Sequence, residues 1–109
     1  MQLETLDLSG HAIQDIEVLS SMETLKNLNL SNNKLQDIAP LSVMTGLVSV
    51  NLSGNQIEET GPLSKLTNLE TLDLSTNKIQ DLGGIQNLTT LTTLNASSNA
   101  IEDIVSCKI

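Results

Sequence analysis

Leucine stands at Leu3, Leu25, Leu47, Leu69 and Leu91, each 22 residues after the last, with no insertion or deletion. A period of this length constrains a chain more than any other feature, because it forces stacked copies of one small unit. Other positions repeat in step. Leu6, Leu28, Val50, Leu72 and Leu94 form a second column, and Leu8, Leu30, Leu52, Leu74 and Ala96 a third. Ser9, Ser31, Ser53, Ser75 and Ser97 come next, then His11, Asn33, Asn55, Asn77 and Asn99, then Ile13, Leu35, Ile57, Ile79 and Ile101. The unit reads LxxLxLSxNxIxDIxxLxxLxx. One domain, 1–109, therefore divides into repeats 3–24, 25–46, 47–68, 69–90 and 91–109.

Each column has a physical reason. The LxLS stretch alternates apolar and polar residues, the period of a strand with one buried face. Identical strands stacked in register make a parallel sheet with roughly 4.8 Å between turns. The asparagine falls where the chain must bend, and its amide can bond backbone groups of the turn and of the next repeat. Ile16, Ile38, Thr60, Leu82 and Ile104 then bring the chain back across the core. The series Leu19, Leu41, Leu63 and Ile85 and the series Met22, Met44, Leu66 and Leu88 close the return leg. That leg is short and carries Pro40, Pro62 or the pair Gly83–Gly84, so 3-10 turns or extended chain are expected there.

An acid precedes the return leg in every copy, at Asp15, Asp37, Glu59, Asp81 and Asp103. An acid before a short helical turn is expected to cap it. A cation site is the other reading, but it needs ligands converging on one point, and one acid per turn does not supply them.

The chain has no Phe, Tyr or Trp, so its core must be assembled from many Leu, Ile, Val and Met side chains. Thirteen acids against five lysines, with no arginine, give a net charge of −8. Such a surface repels phosphate backbones, so neither nucleic acid nor an anionic membrane is an expected partner. No apolar run is long enough to span a bilayer, and the start of the chain lacks a signal-peptide layout. Cys107 is the only cysteine, which is read as a small apolar side chain and points towards a reducing compartment. A cytoplasmic location is the expectation.

These columns resemble the SDS22-like class of leucine-rich repeats, and are also similar to the repeats of bacterial internalins. The resemblance covers residues 3–104. It implies an α/β solenoid: a right-handed horseshoe with a concave parallel sheet of about five strands and short 3-10 or extended convex segments. It also implies a noncatalytic module that binds another protein on the concave face. Family members usually carry dedicated caps, whereas here Ile104, Val105 and Ile109 would leave an apolar end poorly covered. Self-association through such ends, in a structural solenoid segment, is the alternative function. A fragment of an internalin-like protein at the cell surface is a further one.

On the sheet, alternation turns Thr5, Asp7 and Ser9, Asn27, Asn29 and Ser31, Ser49, Asn51 and Ser53, Thr71, Asp73 and Ser75, and Thr93, Asn95 and Ser97 outward, where binding specificity is expected to lie. Asp7, Asn27, Asn29, Ser49, Asn51, Thr71, Asp73, Thr93 and Asn95 are the candidate partner-binding residues, with Gly10, Asn32, Gly54, Thr76 and Ser98 on their border. The side chains are small, and the Trp, Tyr and Arg that dominate interface hot spots are absent. A plain polar surface shaped only by the repeat is the competing reading. Asn29, Asn51 and Asn95 also match the Asn-x-Ser/Thr acceptor pattern, which the repeat generates of itself, and Asn87 is a fourth match. No catalytic residue, metal site or cofactor is expected. His11 and Cys107 lie four stacking steps apart, on the order of 20 Å, too far for a dyad. His11 is assigned a structural place in the asparagine column, and the pairs Glu58–Glu59 and Glu102–Asp103 are expected to be solvated.

Overall fold

The computed structural model describes residues 3–86 and 88–100. The expectations resting on Asn87, Ile101, Glu102, Asp103, Ile104, Val105, Cys107 and Ile109 fall outside the described residues. Five short strands, β1 (Thr5–Asp7), β2 (Asn27–Asn29), β3 (Ser49–Asn51), β4 (Thr71–Asp73) and β5 (Thr93–Asn95), lie side by side in chain order in one parallel sheet. The register follows the repeat: Leu6 pairs with Leu28, Leu28 with Val50, Val50 with Leu72 and Leu72 with Leu94. Across from the sheet run four 3-10 turns, η1 (Glu17–Ser21), η2 (Ala39–Val43), η3 (Gly61–Lys65) and η4 (Gly83–Ile85). No α-helix occurs among the described residues. The architecture is the expected solenoid.

The 3-10 form follows from length. With only a few residues between core columns, the chain closes i to i+3 bonds, such as Leu41 amide to Ile38 carbonyl at 2.9 Å and Met44 amide to Leu41 carbonyl at 3.0 Å. Pro40 and Pro62 sit in the first two positions of η2 and η3, where a missing amide hydrogen costs nothing. Asp15, Asp37 and Asp81 accept the amides of Glu17, Ala39 and Gly83 at 2.9, 2.9 and 3.0 Å. The acid thus bonds the first residue of each turn from two positions upstream, one step further out than a cap on the turn's own flanking residue. In the third repeat the position is Glu59, and the device changes. Thr60, buried in an otherwise apolar column, accepts the amide of Gly84 in the next turn at 3.1 Å. Gly84 is required there, because a Cβ would overlap the carbonyl of Thr60.

The core runs the length of the described stack. Leu25, Leu28 and Leu30 of the second repeat, and their counterparts Leu47, Val50, Leu52, Leu69, Leu72 and Leu74, are all buried. Fully burying one such side chain is worth about 1.5–3 kcal/mol, so repetition replaces the missing aromatic rings. In the first repeat the same columns, Leu3, Leu6, Leu8, Ile13 and Met22, are only partly buried against the core.

The asparagine column forms a continuous hydrogen-bonded ladder. Asn33 Oδ1 accepts the amides of His11 and Ile13 at 2.9 and 3.0 Å, while its Nδ2 donates to Leu8 and Leu30 carbonyls at 3.0 and 2.9 Å. Asn55, Asn77 and Asn99 donate in the same way to Leu30, Leu52 and Leu74 of the repeat before. The bonds therefore reach back to the preceding repeat, and not forward as expected. Each Nδ2 lies between two carbonyls, one of its own repeat and one of the repeat before, and donates to both, so Leu30 and Leu52 each accept from two asparagines. His11, which holds this column in the first repeat, joins the ladder through its backbone amide, donated to Asn33 Oδ1 at 2.9 Å.

Candidate functional site

All nine candidate partner-binding residues lie on the solvent side of the sheet, in two parallel rows. Asn27, Ser49, Thr71 and Thr93 stand in one row with Thr5, whose Oγ1 accepts from Asn27 Nδ2 at 3.3 Å. Asp7, Asn29, Asn51, Asp73 and Asn95 form the other. Asn29, Ser49, Asn51 and Asp73 are half-buried and the remainder are exposed.

The second row is less free than its exposure implies. Each of its side chains accepts the backbone amide of the serine two residues on, at 2.9 Å from Ser9, 3.0 Å from Ser31, Ser53 and Ser75, and 3.1 Å from Ser97. In four of the five repeats the serine hydroxyl donates to the same oxygen, at 2.7 Å for Asp7, Asn51 and Asp73 and 2.9 Å for Asn95. The serine column, expected to face outward for binding, thus works within the strand end. One oxygen of every row member is committed, and the other terminal atom stays outward. The Ser9 amide, and then its hydroxyl, hold the Asp7 carboxyl below the ordinary value of 3.8, with a smaller pull from His11; slight burial opposes them. Asp7 is therefore a fixed anion at neutral pH.

The border residues mark the bend after each strand. Gly10, Asn32, Gly54, Thr76 and Ser98 all take left-handed backbone, with φ of 71°, 58°, 70°, 57° and 58°. Thr76 is the costly member, since a β-branched residue strongly disfavours that region. A shallow depression of about 350 Å³ lies over the first three strands, lined by Thr5, Leu6, Asp7, Asn27, Asn29 and Asn51 among others. A larger one, about 410 Å³, lies on the flank of the solenoid against Gln36, Asp37, Gln56, Glu58, Glu59 and Pro62. Sequence reading did not find the flank depression, because its walls combine the repeated acid of two turns, read as a cap, with side chains of neighbouring positions that the repeat does not fix. The only signal was the coincidence of Glu58–Glu59 with Asp37 one period earlier.

Glu58 and Glu59 are exposed, as expected. Among the described residues, no three His, Cys, Asp or Glu side chains are grouped to hold a metal ion, and no helix is long and apolar enough to cross a membrane.

The geometry has close counterparts. Internalin C2 from Listeria monocytogenes superposes with a TM-score of 0.91 at 35% identity, over 94% of this chain and 45% of that one. An internalin (inlF) from the same organism gives 0.90 at 34% identity, over 94% and 30%. A leucine-rich-repeat protein from Leptospira interrogans gives 0.82 at 29% identity, over 89% and 26%. The chain thus spans less than half the length of either internalin. No protein of curated function matches it. The family described as Leucine Rich repeats (2 copies) matches residues 2–43 and 45–87, and so takes in most of the chain. On sheet, ladder and sequence together, this chain belongs to the leucine-rich-repeat family.

Proposed function

We propose that the chain is a noncatalytic protein-interaction module that engages another protein on the concave sheet face. One observation carries this reading: the row Asp7, Asn29, Asn51, Asp73 and Asn95 is held in place by its serine partners before any ligand arrives. Nδ2 of Asn29, Asn51 and Asn95 and the second carboxylate oxygens of Asp7 and Asp73 are left to face a partner. Side chains already fixed lose little entropy on binding, which compensates for the lack of large anchors. The depression over the first three strands gives the partner a place to seat.

The test is to capture a partner on the immobilised chain and then measure its binding to Asn29→Lys/Asn51→Lys. Lysine gives up the acceptors of the Ser31 and Ser53 amides, so circular dichroism first establishes that the variant is folded; the added bulk and charge should then weaken the complex at least about tenfold. Unchanged affinity would overturn the concave-face assignment.

Two further readings have their own support. The likeness to the two internalins, at 34–35% identity, favours a bacterial surface or secreted setting over the cytoplasm. Cell fractionation of the native host with an antibody to the chain separates these. The partly buried first-repeat columns Leu3, Leu6, Leu8, Ile13 and Met22 favour end-to-end self-association. A monomer at high concentration by light scattering after size exclusion removes that possibility.

A further inference from the structure

Three depressions meet at Asp37. The flank depression runs between Gln36, Gln56, Glu58 and Pro62, and a neighbour of about 300 Å³ continues it towards Gln14 and Lys34. A third, about 370 Å³, opens on the 3-10 side between Glu17, Ala39, Pro40 and Val43. Asp37 lines all three, and Gln36 and Gln56 are shared by the first two, so the depressions adjoin and together make a shallow groove from the flank to the 3-10 face with Asp37 at its middle.

Apolar surface is concentrated here. Val18 and Val43 are the exposed large hydrophobic residues of the described chain, at 76% and 62% exposure, and both belong to the 3-10 turns of this face. The second residue of successive turns is Val18, exposed, then Pro40 and Pro62, half-buried, an apolar row stiffened by its prolines. The sheet face has no such feature: its outward rows are Thr, Ser, Asn and Asp. Desolvation of apolar area, the main non-directional source of affinity, is therefore available on the 3-10 face.

The groove's charge is one-sided. Glu17, Asp37, Glu58 and Glu59 stand along its walls, against Lys34 alone among its lining cations. Lys65 occupies the place of Val43 one turn on and marks the far end. The carboxylates are strung along the groove and do not converge, and no metal-holding group occurs among the described residues. A single small cation does not match that arrangement. An extended chain bearing several cations does.

We infer that the groove passing Asp37 docks a basic segment of a partner protein, with apolar side chains of the segment seated on Pro40 and Val43. The surface is distinct from the concave face, and the two stand or fall separately.

The probe is an acetylated, amidated nonapeptide of alternating lysine and valine, titrated into the ¹⁵N-labelled chain and followed by amide shifts. Saturable shifts are expected in Asp37–Val43 and Glu58–Lys65, weakening with added salt because the carboxylates are solvated. The variant Asp37→Asn/Glu58→Gln/Glu59→Gln should bind about tenfold more weakly. An asparagine at 37 still offers its oxygen to the Ala39 amide, so the turn is kept. Val43→Ser should cost about threefold, since it removes exposed apolar area and nothing structural. Asn29→Lys/Asn51→Lys should leave the shifts in place. The inference is overturned by an absence of saturable shifts, by shifts confined to the strands, or by the neutralised variant binding unchanged. It is equally overturned if a lysine–serine peptide binds as tightly, because charge alone would then explain the contact. The amide spectra of the variants report directly whether each is folded.

Discussion

Replacing Asn55 by alanine should be one of the most damaging single changes in this chain, and its cost can be worked bond by bond. Asn55 is 7% exposed. Its Oδ1 accepts the Leu35 amide at 3.0 Å, and its Nδ2 donates to the carbonyls of Leu30, Leu52 and Ser53 at 3.0, 2.9 and 3.2 Å. The carbonyls are insured. Leu30 still receives Asn33 Nδ2 at 2.9 Å, Leu52 receives Asn77 Nδ2 at 3.0 Å, and Ser53 receives the Asn32 amide at 2.8 Å. The Leu35 amide has no such second partner among the described residues. An orphaned buried amide costs about 1–3 kcal/mol, and the weakened carbonyl bonds add about 1–2 kcal/mol together. The sum, about 2–5 kcal/mol, is a large share of the 5–15 kcal/mol typical of a domain. Urea unfolding followed by far-ultraviolet circular dichroism should show the midpoint fall by on the order of 2 M. Asn27→Ala, on the sheet surface, should lose less than about 0.5 kcal/mol in the same assay. Asn55→Asp sharpens the test. Its carboxyl would face three carbonyl oxygens, so the folded state would favour the protonated form and raise that pKa above the unfolded one. Its penalty relative to the parent should then grow as pH rises between those two values, and shrink on acidification. A loss below about 1 kcal/mol for Asn55→Ala would refute the ladder as the source of turn-to-turn cohesion.

Gly84→Ala should cost more than about 2 kcal/mol by thermal unfolding, since the new methyl meets Thr60 backbone and not a flexible side chain. Gly83→Ala, where the nearest atom is an Asp81 side-chain oxygen at 3.2 Å, should be much milder. Thr76→Gly should stabilise by about 1 kcal/mol, because it relieves left-handed backbone at φ 57° in a β-branched residue. Ser9→Ala should raise the Asp7 pKa, read from carboxyl ¹³C shifts, only part of the way back to 3.8, because the larger contribution of the Ser9 amide remains. In the parent, the stability linked to Asp7 is present above its ordinary value and is lost as pH falls through the lowered one.

The strands, their register and the buried columns were legible because one 22-residue count fixes all three together. The outward direction of the nine sheet residues followed from alternation alone. What alternation could not show is where a side chain's second bond goes. Asp7 and Asn51 read as free binding groups, yet each has an oxygen committed to a serine two residues on. The backward reach of Asn33 was equally invisible, since a periodic sequence looks the same in both directions. Thr60 and Gly84 each break a column, and only the fold shows that one break answers the other. The groove at Asp37 was hidden for a related reason: its central acid recurs in every turn and read as a cap, while Lys34, Val43 and Glu58 around it vary from turn to turn.

The serine bond on the concave row has a consequence for how such a surface can change. Asp7 and Asp73 are charged, Asn29, Asn51 and Asn95 are neutral, and all five make the same contact through one oxygen. The atom that differs between aspartate and asparagine is the one the fold does not use. Five sites with two settings each can therefore be rewritten without disturbing the strand ends. The sheet behaves as a strip of electrostatic characters on a fixed carrier, and a lineage could alter what it binds while leaving how it folds untouched.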